Sequence, residues 1–132
     1  MRPVDRDWSS KSGVDASRAK TYGLGGQHVY CYSFNSRLEL AHIKQSLCCS
    51  IKVGMVSGDP IDRIWQQISA SKTAISEAAV VLLIFQTNDC RHLERWLHKK
   101  LQRDTNAHGR EWFLTNENEL VRLFRTYARE YS

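Results

Sequence analysis

The chain has 132 residues, which fits one domain with a core of its own. At 42% hydrophobic and 25% charged residues it has the composition of a soluble globular protein, and its longest apolar run, 78–85, is far too short to cross a bilayer. A net charge of +5 suits a polyanionic partner, nucleic acid first, and the N-terminal residues lack the apolar core of a secretory signal, so the expected location is the cytoplasm.

Residues 1–27 read as a flexible tail or linker, rich in Ser, Gly, Asp, Lys and Arg and ending in a Gly-Leu-Gly-Gly hinge. Residues 28–132 form the domain. His28 to Phe34 is the first strand, with Val29, Cys31 and Ser33 on one face and His28, Tyr30, Tyr32 and Phe34 on the other. Asn35 and Ser36 signal a turn, and 37–47 fits a short helix. Ile51 to Val56 is a second strand, interrupted by Gly54. Asp59 followed by Pro60 is the N-cap and first position of a helix running to about Ala70, with Ile61, Ile64, Trp65 and Ile68 as its apolar stripe. The third strand, 78–87, is apolar throughout and therefore central.

The next stretch, Cys90 to Asp104, reads as one helix with divided faces. Leu93, Trp96, Leu97 and Leu101 fall on one side. Glu94 lies at the rim of that stripe, with His98 one turn later and Arg91 one turn earlier. Such an edge suits a metal ion beside a phosphate, and equally an ordinary solvated helix face. Arg91, Arg95 and Lys99 form a basic stripe that either follows a nucleic-acid backbone or faces solvent. A loop at 105–110, a short extended piece at Glu111-Trp112-Phe113 and a last helix over about 117–131 complete the chain. The order of elements argues an α+β domain with a three-stranded sheet.

The four cysteines, Cys31, Cys48, Cys49 and Cys90, include no C-x-x-C pair and are expected reduced and mostly buried. A zinc set of Cys90, His92 and His98 matches no recognised spacing.

Val29-Tyr30 on the first strand, Lys52-Val53-Gly54 on the second, Arg63 on the Asp59-Pro60 helix, Glu94 with His98 four residues on, and the downstream Glu111-Trp112-Phe113 together resemble the GIY-YIG nuclease superfamily. The similarity is to its phage-associated and restriction-like branches, where K-I/V-G replaces the second tripeptide, and it spans roughly residues 28–114. The sequence departs from the pattern at His28, where the first triplet has glycine, and at Met55, where the branch often has arginine. The interval from Tyr30 to Lys52 is also long, which implies an inserted helix.

The resemblance implies a small three-stranded, mainly antiparallel sheet flanked by helices. It also implies a DNA endonuclease that hydrolyses phosphodiester bonds at a single Mg²⁺ or Mn²⁺. Glu94 would hold the metal. Tyr30 would act as general base or orient the water, with Lys52 favouring its phenolate and contacting the phosphate. Arg63 would clamp the phosphate and His98 would support Glu94. DNA, as duplex, is the expected partner, with contacts from Arg91, Arg95 and Lys99 and no membrane; homodimerisation is open.

Each residue also has a plainer reading. Tyr30 suits a sheet surface, Lys52 an edge strand that blocks aggregation, Arg63 a solvated helix face, and Glu94 with His98 an i, i+4 pair. Glu111 reads best as a turn residue ahead of a core pair, Trp112 and Phe113. The alternative function is a nucleic-acid-binding accessory or regulatory module on the same fold with weak or lost catalysis. An RNA-binding protein lacks support, as there is no RNP-like aromatic motif.

Overall fold

The computed structural model describes residues 1–70, 77–107 and 109–131. Residue 108, within the loop expected at 105–110, lies outside them. Among the described residues the chain is α+β, with one seven-stranded mixed sheet and four helices. This corrects the expectation of a small three-stranded, mainly antiparallel sheet.

The strand at the centre of the topology is β5 (Ala79–Thr87), and all nine of its residues are buried. A strand removed from water must find partners for its backbone groups on both edges. One edge pairs antiparallel with β3 (Gln27–Phe34). The other is taken by two short parallel strands, β1 (Val14–Asp15) against Ala79 and Val80, and β2 (Lys20–Gly23) against Leu83 to Gln86. The segment expected as a flexible tail therefore completes the sheet. Its polar composition describes the side chains, whereas the pairing belongs to the backbone, which composition does not report.

Beyond β3 the sheet continues antiparallel through β4 (Cys49–Val56), β7 (Trp112–Thr115) and β6 (Gln102–Arg103). The expected helix at 90–104 is shorter than its pattern suggested. It is α3 (Cys90–Lys100), begun by Asp89, whose carboxylate accepts from the His92 N–H at 3.1 Å. Leu101 turns extended, and Gln102 and Arg103 pair with β7 instead.

The alternation read for β3 divides the core. Val29 and Cys31 face a cluster with Leu93 and Leu97 of α3 and with Leu120, Phe124 and Tyr127 of α4 (Glu117–Glu130). Tyr30 and Tyr32 face a second cluster with Ile61 and Ile64 of α2 (Pro60–Ala70) and with Val14, Val81 and Trp112. Trp65, expected in the α2 stripe, is 42% exposed. The inserted helix, α1 (Asn35–Ile43), buries no residue, and Asn35 and Ser36, expected as a turn, form its first turn. The Ser36 N–H and hydroxyl both donate to the Glu77 carboxylate at 2.7 Å, a cap supplied from far along the chain.

The N-terminal residues clamp His28. Its Nδ1–H donates to the Gly58 carbonyl at 2.8 Å, its Nε2 is closed off without a partner, and the Trp8 ring packs edge-on at 5.5 Å. Burial holds the His28 pKa below its ordinary 6.5, helped by Arg6 and opposed by the Gly58 bond and Asp59. The fold thus favours the neutral ring, while the unfolded chain takes up a proton near pH 6.5. The His28 contribution is complete above that pH and is lost as pH falls through it toward the lower folded value. Urea unfolding at pH 8 and pH 5 should show a larger loss for the wild type than for His28→Gln; equal losses would exclude this linkage.

Candidate functional site

The candidate residues gather where the sheet leaves β4 uncovered. Strand β7 pairs with β4 only from Cys49 to Lys52, and one further bond, from the Val53 N–H to the Glu111 carbonyl at 2.9 Å, ends the run. The Val53 carbonyl beyond it accepts from His98 Nε2 at 2.9 Å. A carbonyl only accepts, so Nε2 carries the hydrogen. The His98 ring also packs against Phe113, with centroids 4.7 Å apart. His98 therefore satisfies a backbone group at the open edge and ties α3 to β4.

One turn earlier on α3, Glu94 is carried to the same edge by Leu93 and Leu97, which are fully buried and set the helix rotation. Its Oε2 is shut off from solvent and has no hydrogen-bond partner among the described residues. Burial pushes the Glu94 carboxyl up to about 7, and the neighbouring Glu111 charge adds to the shift, while Lys52, Arg95 and Arg91 oppose it.

On the other face of β4, Lys52 and Gly54 point away from Ile51 and Val53, which belong to the α3 side. The Lys52 ammonium lies 3.4 Å from a Glu111 carboxylate oxygen. Gly54 stands opposite Tyr30, and a Cβ there would sit 2.5 Å from the Tyr30 hydroxyl oxygen. Glycine is thus what lets the tyrosine lie across β4. The Tyr30 hydroxyl accepts from Gln67 Nε2 at 2.8 Å, and Gln67 Oε1 accepts from the Tyr32 hydroxyl at 3.2 Å. Arg63, on the exposed side of α2, adds its positive charge beside Tyr30.

The structure alters the expected role of Tyr30. Burial pushes its pKa up to about 12, with Glu111 adding to the rise and Gln67 and Arg63 opposing it. Lys52, expected to favour phenolate, is engaged by Glu111 instead. At neutral pH the phenolate fraction would be on the order of 10⁻⁵, so Tyr30 carries a neutral hydroxyl.

Arg91, Arg95 and Lys99 are exposed on the outward side of α3. The zinc set does not assemble, because His92 bonds the Tyr127 hydroxyl at 2.8 Å on one flank of α3 while His98 reaches β4 on the other. No group of three or more His, Cys, Asp or Glu able to hold a metal occurs among the described residues. Two residues of the site went unseen in the sequence. Glu111 was read as a turn residue, although its neighbours Trp112 and Phe113 are indeed core, and Gln67 carried no signal at all.

A family model, the T5orf172 domain, matches residues 27–128 and so spans every residue of this site. The chain belongs to the T5orf172 domain family. No curated protein and no solved structure matches the sequence. The resemblance to the GIY-YIG superfamily is thereby corrected, since the T5orf172 domain is a distinct family and no GIY-YIG model matches. The first triplet of this T5orf172 domain, His28-Val29-Tyr30, had already departed from that pattern.

Two outcomes follow from the geometry. The raised Glu94 pKa means that charging this carboxyl costs stability, beginning above its ordinary 4.5 and complete above about 7. In EDTA at pH 8, Glu94→Gln should therefore stabilise the chain by about 1 kcal/mol, a figure discounted for partial exposure, with no gain at pH 4. Urea unfolding at the two pH values measures it. Gly54→Ala should cost about 1–3 kcal/mol by forcing Tyr30 aside. Gly58→Ala, whose Cβ would enter open space, is the matched control and should cost much less in the same assay.

Proposed function

We propose that this T5orf172 domain is a divalent-metal-dependent DNA endonuclease that hydrolyses phosphodiester bonds. The observation that carries the proposal is Glu94, a carboxylate with a buried oxygen that has no partner among the described residues, near a second carboxylate and a lysine. An isolated protein gains nothing by burying such a charge, whereas a bound cation would balance it. The donors are hard oxygens and few, which fits Mg²⁺ or Mn²⁺ held by one or two carboxylates with waters and substrate phosphate completing the shell. When bound, the metal would supply Lewis-acid polarisation of the phosphoryl group and a water of lowered pKa.

The remaining roles belong to the chain. Glu94 holds the cation. Lys52 and Arg63 neutralise the charge that develops on the phosphate. Tyr30, neutral and steadied by Gln67, donates a hydrogen bond that orients the water or a phosphate oxygen. His98 acts on Glu94 by fixing α3 to β4. Arg91, Arg95 and Lys99 follow the backbone of duplex DNA, which makes affinity fall with salt. No described helix is long and apolar enough to cross a membrane, and a cytoplasmic location belongs to the proposal.

A second reading, a nucleic-acid-binding accessory module, is favoured by the high pKa of Tyr30, which removes the expected base, and by a basic stripe that needs no metal. Conversion of supercoiled plasmid to nicked and linear forms separates the two. Cutting should require Mg²⁺ or Mn²⁺, cease in EDTA, and fall at least about a hundredfold in Glu94→Ala, Lys52→Ala and Arg63→Ala. Absence of cutting in either metal, with a gel shift that survives EDTA and Glu94→Ala, would overturn the nuclease in favour of the binding module.

A further inference from the structure

We infer that Glu111 is the second carboxylate of this site, holding Lys52 in the metal-free chain and sharing the divalent cation with Glu94 in the loaded one. The inference rests on the nuclease reading and extends it to a residue that the sequence gives no metal-binding role.

The placement of Glu111 is not that of a loose turn. Its carbonyl is held by the Val53 N–H at 2.9 Å, and the residue after it is locked by the Asp104 N–H donating to the Trp112 carbonyl, also at 2.9 Å. Trp112 and Phe113 are 8% and 0% exposed, so the backbone beneath Glu111 is fixed by the core. The side chain, in contrast, remains 37% exposed and free to turn. Its ion pair with Lys52 spans 3.4 Å, longer than a charge-assisted hydrogen bond of about 2.7–2.9 Å, so the carboxylate keeps lone pairs available.

The charge count points the same way. Lys52, the foremost positive charge acting on Glu94, pairs with Glu111, and the other two, Arg95 and Arg91, are exposed on the outward side of α3. Glu94 is left with an oxygen that neither solvent nor a donor among the described residues reaches. Glu111 and the helix that carries Glu94 also meet at one residue, Val53, whose N–H donates to the Glu111 carbonyl and whose carbonyl accepts from His98, one turn after Glu94, both at 2.9 Å. One divalent cation between Glu94 and Glu111 would balance both carboxylates and release Lys52 for the phosphate.

The test is Mn²⁺ binding to the DNA-free chain, followed by electron paramagnetic resonance, with folding of each variant checked by circular dichroism. Glu111→Gln should weaken Mn²⁺ binding at least about tenfold, as should Glu94→Gln, while Glu39→Gln on exposed α1 should match the wild type. Lys52→Met, which removes the competing cation and keeps both carboxylates, should tighten binding at least about threefold. Wild-type affinity in Glu111→Gln, with binding lost in Glu94→Gln, would overturn the role of Glu111 and leave the nuclease reading standing. Unchanged affinity in Lys52→Met would overturn the exchange of partners. A wild type that binds Mn²⁺ no better than the Glu94→Gln/Glu111→Gln double variant would overturn both proposals.

Discussion

Nine consecutive residues of β5 are withdrawn from water, and a strand so placed can satisfy its N–H and C=O groups only through neighbours in the sheet. That requirement organises the chain. It draws β3 to one edge, and it recruits β1 and β2 from the polar N-terminal segment to the other. With both edges paired, the two faces are left for packing. Helices α3 and α4 cover one and α2 covers the other, and the alternation of β3 sends aliphatic and cysteine side chains to the first and tyrosines to the second. The site inherits its two-sidedness from this division.

Function, on the reading proposed, is built where the same requirement lapses. Past Lys52, β4 has no further strand on its outer edge among the described residues, and the Val53 N–H and carbonyl are met individually by the Glu111 carbonyl and by His98. Residues from both faces reach this edge. Tyr30 crosses Gly54 from the α2 side, and Glu94 rises with α3 from the other.

The electrostatics of this edge are dominated by burial. Burial raises both Glu94 and Tyr30, the Glu111 charge adds to each, and Lys52 is committed to the one carboxylate it touches. Perturbations of this kind cost stability and are characteristic of binding and catalytic sites, although structural ion pairs produce them too. Here the orphaned oxygen of Glu94 favours the functional origin. On the nuclease reading proposed, Tyr30 is correspondingly a hydrogen-bonding group and not the base that activates water.

Much of this was legible in the residues themselves. The apolar run of β5, the Asp59-Pro60 helix start and the stripes of α3 and α4 follow from periodicity and capping, which are local. The alternation of β3 is local as well, and it separated Tyr30 and Tyr32 from Val29 and Cys31, as the two core clusters do. The sheet's size was not legible. β1 and β2 are held by backbone bonds to a strand some sixty residues away, and β6 by pairing that overrides a helical pattern at Gln102 and Arg103. Side-chain character does not encode such partners. The charges behaved likewise. The sequence by itself determined that Tyr30, Lys52, Arg63, Glu94 and His98 were chemically able groups on suitable elements. Only the tertiary structure decided that Lys52 faces Glu111 rather than Tyr30, and that one oxygen of Glu94 is shut off from solvent with no partner among the described residues. Burial and pairing are properties of distance in space, and a single sequence carries no measure of that distance.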